Sequence, residues 1–158
     1  MQKYLLILFL ILGIFNSKAQ IASNIVENLQ KTSVILESST GYGSGFLITK
    51  GENTFVISAG HVVESIEITT NGIKKNIDKE IEATLFIYDN NDYLINTQKS
   101  KVKILLHSDS DTQSDLLLGL VLDKGFTTNS SRFYSGDSRK IKIGTKIYSM
   151  GNPRGFRY

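Results

Sequence analysis

The chain contains no cysteine and no tryptophan, and of its 158 residues only two are histidine. Without cysteine there is no disulfide framework and no thiolate zinc site, so the fold must rest on its apolar core alone. The two histidines, His61 and His107, show no His-Glu-x-x-His spacing. No catalytic metal and no cofactor are therefore expected.

A long apolar run is missing too. The uncharged apolar run extends only from Tyr4 to Phe15, behind the basic start Met1-Gln2-Lys3, and that is too short to span a bilayer comfortably. The run ends in Asn16-Ser17-Lys18-Ala19, where small residues at the first and third positions before the bond suit signal peptidase. Residues 1–19 therefore read as a signal peptide, cleaved after Ala19, giving a secreted or periplasmic product with no stable membrane span. Lys3 and Lys18 leave with it and no acid does, so the formal charge falls from +3 to +1. Charge then gives no reason to expect a nucleic-acid partner. The remaining ~140 residues are enough for one domain and hardly for two.

Apolar residues at 21, 25, 26 and 29 suggest one short amphipathic helix over 21–30. The pattern then turns to strands. Short runs rich in β-branched and aromatic residues occupy 33–37, 45–49, 54–58, 66–69, 83–88, 101–105 and 116–122. Turn formers separate them at Gly41 and Gly43, 51–53, Asn71-Gly72 and 89–92. Ile66 and Ile68 alternate with Glu67 and Thr69, predicting one packed and one solvated face. Residues 119–138 read as a long surface loop and 142–150 as a further strand. The expected fold class is all-β, a closed antiparallel barrel or a sandwich.

Acyl transfer by a hydroxyl nucleophile needs a histidine to take the proton and an aspartate to hold that histidine. His61 is placed for the first role. It follows the strand Phe55-Val-Ile-Ser-Ala-Gly60, whose small terminal residues let an imidazole lie against backbone with one edge open to substrate.

Gly43-Ser44-Gly45-Phe46-Leu47-Ile48 followed by Val56-Ile57-Ser58-Ala59-Gly60-His61-Val62-Val63 resembles the first barrel of trypsin-like serine proteases, especially the cysteine-free HtrA-like branch. The resemblance implies that His61 is the general base. It also implies that Asp115, opening Asp115-Leu116-Leu117-Leu118, orients the base, although Leu117 stands where the family has a small alanine. Asp109 and Asp111 lie nearby, but an orienting carboxylate must be partly buried and held, which favours Asp115. Gly136-Asp137-Ser138, Ile143-Gly144, Ile147 and Gly151-Asn152-Pro153 with Gly155 resemble the family's entry into its second barrel.

The implied architecture is the trypsin-like double-barrel fold, with a first barrel over about 32–125 and only the start of a second over about 135–158. The implied activity is a serine endopeptidase acting on protein or peptide substrates, its nucleophilic serine absent from the chain and the chain inactive alone. Ser138 only imitates the nucleophile motif, since Arg139 and Lys140 replace the glycines whose turn would present amides to an oxyanion. Ser44 reads as a structural hydroxyl where chains approach closely, and His107 as solvated on a loop. The alternative function is a non-catalytic, protease-like binding module.

Overall fold

A computed structural model describes residues 23–89, 93–108, 114–127, 129–131 and 138–151. The expectations about the signal segment, Asp109 and Asp111, Gly136-Asp137 and Asn152-Pro153-Arg154-Gly155 lie outside these residues. Among the described residues no helix is long and apolar enough to cross a membrane.

Helix α1 spans Ser23–Thr32. Its polar face carries the Glu27–Lys31 ion pair, and near its end Thr32 Oγ1 donates to the Asn28 carbonyl at 2.8 Å. Eight strands follow: β1 (Ser33–Ser38), β2 (Gly41–Lys50), β3 (Asn53–Ser58), β4 (Glu64–Thr69), β5 (Gly72–Ile77), β6 (Glu80–Tyr88), β7 (Leu94–His107) and β8 (Leu117–Val121). Six of them close an antiparallel barrel in the order β1-β2-β3-β8-β7-β6, with β6 returning to β1 through the pairs Val34 with Leu85 and Leu36 with Ala83. The all-β barrel expected from the strand pattern is therefore the fold.

Side chains of a strand alternate between its two faces, so each barrel strand sends every second residue inward. The inward set is Val34 and Leu36, Leu47, Val56, Ile81, Ala83 and Leu85, Val102, and Leu117 and Val121, all buried in one cluster. Space inside a six-stranded barrel is short, and Gly119 answers that shortage: a Cβ there would lie 2.3 Å from Val102 Cγ1. Leu117, the residue that departs from the small alanine, is wholly buried in this core. Val63 and Phe126, both about 1% exposed, join the same cluster from segments that leave opposite ends of the β3–β8 pair.

Three expectations are corrected. β4 and β5 form a separate two-stranded sheet, and the face bearing Ile66, Ile68 and Ile73 is exposed rather than packed, Ile68 by 83%. Alternation marked the apolar face, but among the described residues the hairpin stands outside the barrel sheet and Ile66, Ile68 and Ile73 remain exposed. Residues 142–150 form no strand. Ile143 and Ile147 are exposed there, and the backbone turns locally, with the Thr145 amide bonded to the Lys142 carbonyl. Finally, the stretch expected to be a surface loop begins inside β8 and then buries Phe126, with the Ser131 amide tied to the Leu47 carbonyl at 2.8 Å.

Candidate functional site

At one mouth of the barrel, β3 ends beside the start of β8, with Ser58 paired to Leu117. Ser58 is buried, and its hydroxyl donates to the Ser44 carbonyl at 2.7 Å, fixing the strand end against β2. The chain then makes one 3-10 turn, Gly60–Val63, closed by the Val62 amide on the Ala59 carbonyl and by the Glu64 amide on the His61 carbonyl. Val63 anchors this turn in the core while the His61 side chain stays 63% exposed. Glycine is required at two points of close approach. A Cβ on Gly60 would lie 2.3 Å from the Ser108 carbonyl oxygen, and one on Gly43 2.5 Å from the Val62 side chain.

Asp115 meets His61 twice. Its Oδ1 accepts the His61 backbone amide at 2.9 Å, and its Oδ2 lies 2.9 Å from the ring Nδ1. A carboxylate beside Nδ1 holds the proton on that nitrogen, leaving Nε2 with its lone pair free to take one. The His61 ring bond, followed by its backbone amide, holds the Asp115 carboxyl below the usual carboxylate range. Its side chain is 37% exposed, so hydrogen bonds more than burial fix its position. The Asp115 backbone has φ of 34°, a left-handed conformation that costs most residues energy and that aspartate adopts more readily. The bonds to His61 help to sustain that conformation. His61 and Asp115, proposed from sequence, are thus brought together.

His107 is not where the sequence reading put it. It is the last residue of β7, its side chain is 11% exposed, and its Nε2 lies 2.9 Å from Glu64 Oε1. Glu64 itself is 7% exposed and also meets Lys75 Nζ at 2.9 Å. His107 faces inward for a definite reason. A register shift between Ile104 and Leu106 reverses the alternation of β7, so that His107 pairs with the inward Leu117 and shares its face. Simple alternation from Val102 and Ile104 would have turned it outward. Glu64 had no signal in the sequence beyond being a lone acid between Val63 and Ile66.

Two shallow grooves flank the pair. One, of about 360 Å³, runs beside His61 over Thr40, Tyr42, Gly43 and Ala59. The other, of about 530 Å³ and more apolar, runs beside Asp115 over Leu29, Phe46, Ile57, Leu116 and Met150. Both share Ser44, Ser58 and Ala59 in their walls. Ser44 lies beside Gly151, where an added Cβ would meet its Oγ at an ordinary contact distance of 3.5 Å. Ser138 starts a separate 3-10 turn, Ser138–Lys140. Among the described residues no cluster of three or more potential metal ligands occurs. No protein-family model matches the chain, and no curated protein matches it.

Proposed function

We propose that this chain supplies the base-bearing barrel of a trypsin-like serine endopeptidase of the HtrA-like branch. The observation that carries the reading is the two-point hold of Asp115 on His61, at 2.9 Å to the backbone amide and 2.9 Å to Nδ1. In this role Nε2 of His61 takes the proton of a serine hydroxyl as that oxygen attacks the scissile carbonyl. His61 then returns the proton to the leaving amine, and Asp115 stabilises the imidazolium in between. The nucleophile and its oxyanion-binding amides would be contributed by a second barrel. The groove beside His61 offers an open surface for an extended peptide. Secretion or residence in the periplasm belongs to the same proposal.

The test is covalent labelling of the full-length protein with a fluorophosphonate, which traps an activated serine. Labelling that disappears in His61→Ala supports the reading. An intact, folded full-length protein that takes no label overturns it and leaves the binding module in its place.

A further inference from the structure

His61 sits on residues 59–64 and Asp115 on a second segment made of the described residues 107–108 and 114–117, and their bond is largely open to solvent. An exposed hydrogen bond between mobile side chains is weak unless its backbones are held in place by something else. The same two segments are joined a second time, by Glu64 on the first and His107 on the second. There the polarity is crossed: the turn that provides the imidazole His61 also provides the carboxylate Glu64, and the segment that provides the carboxylate Asp115 also provides the imidazole His107. The second joint is the buried one.

We propose that Glu64 and His107 are positioning residues that clamp the two segments and thereby hold Asp115 against His61. Three observations support the clamp. The Glu64 amide caps the turn by bonding the His61 carbonyl, so displacement of Glu64 moves the His61 backbone directly. On the other side, the Ser108 amide donates to the Leu116 carbonyl at 2.7 Å, tying the residue after His107 to the residue after Asp115. Between them, Gly60 has no side chain to keep the segments apart, and the Ser108 carbonyl oxygen lies 2.3 Å from where its Cβ would be. The bulge in β7 then acquires a purpose, since it turns His107 inward to reach Glu64. Lys75 on β5 meets the second oxygen of Glu64, tying the exposed hairpin to the same joint.

The inference rests on the proposed function only in that the pair being positioned is the one given the roles of base and orienter there. Its test needs no catalysis. In the full-length protein labelled with ¹⁵N-histidine, exchange of the His61 Nδ1 proton with water reports how firmly Asp115 holds it.

His107→Leu keeps an apolar volume in place and leaves Glu64 with Lys75, but removes the bridge. Exchange at His61 should become about tenfold faster, the scale of one lost hydrogen bond, while amides of Leu47 and Val56 exchange as before. His107→Gln, whose amide can still donate to Glu64, should restore the slow rate.

A folded His107→Leu protein with unchanged exchange at His61 overturns the clamp, as does equal acceleration in His107→Gln or throughout the barrel. If His107→Leu does not fold, Glu64→Gln decides. A neutral acceptor weakens the bond, so several-fold faster exchange supports the clamp and an unchanged rate overturns it. Fluorophosphonate labelling remains a separate readout, so a clamp without labelling would remove the protease and keep the positioning role.

Discussion

Removing the charge of Asp115 while keeping its shape isolates what the carboxylate does for His61. In Asp115→Asn the new amide would still accept the His61 backbone N–H through its oxygen, but its NH₂ group would face Nδ1 and stabilise the wrong tautomer. Under the proposed function, the substitution should therefore slow fluorophosphonate labelling of the full-length protein by about 10⁴-fold with the fold intact. Labelling at the wild-type rate would separate Asp115 from the chemistry. Gly60 offers a different kind of test, because its φ does not lie in the left-handed region and alanine is allowed by backbone alone. The obstacle is steric, since the new methyl would meet the Ser108 carbonyl at 2.3 Å and Asp115 Oδ1 at 3.2 Å. Gly60→Ala should destabilise the protein by about 1–3 kcal/mol, the usual cost of overpacking, read as a lower denaturant midpoint. Because the displaced groups are those that hold the dyad, labelling should slow as well.

Elements differ in how far their sequence revealed them. Strands such as β1 and β3 were legible because short runs of β-branched and aromatic residues between turn formers mark a strand whichever faces it buries: β1 buries Val34, Ile35 and Leu36 in succession, whereas β3 buries every second residue. The His61 strand end was legible for the same reason, and Asp115 because it abuts the apolar start of β8. What stayed hidden depended on pairing rather than on composition. The bulge of β7 reverses alternation at one residue and hid His107, while β5, built on Gly72-Ile-Lys-Lys-Asn-Ile77, has too few apolar residues to announce itself. The β4–β5 hairpin also shows that alternation identifies an apolar face without identifying a cover for it. Ile68→Thr keeps β-branching and should change stability by no more than about 0.5 kcal/mol, as for other exposed positions. Leu36→Ala, at a wholly buried position, should cost about 2–5 kcal/mol. Urea unfolding of the two variants checks the contrast; a large loss in Ile68→Thr would mean that the hairpin face is covered.

For the whole molecule, the barrel and its charges set opposite limits on the pH range of stability. Asp115 has its carboxyl lowered by His61, so the native state holds a proton there less tightly than the unfolded chain does. The resulting stabilisation is fully present above the unfolded value of about 3.9 and is lost as pH falls through the lower folded value. On the alkaline side, Lys99 is raised by its hydrogen bond with Glu82 and Lys101 by its bond with Glu80, across the outer face of β6 and β7. Their contribution is complete below about pH 10.4 and disappears as pH rises through the folded values. Tyr88 acts in the same direction, because burial raises its phenol and the unfolded chain ionises first. All three alkaline groups lie on one β6–β7 hairpin, whereas the acid-sensitive group lies at the barrel mouth. Urea midpoints measured across pH should therefore fall at both ends for separable reasons. Asp115→Asn should flatten the fall below about pH 4 and leave the alkaline limb unchanged. Lys99→Gln with Lys101→Gln should reduce the alkaline fall to the share carried by Tyr88 and leave the acid one. An acid limb that persists unaltered in Asp115→Asn would show that the dyad makes no net contribution to stability, even where its geometry is intact.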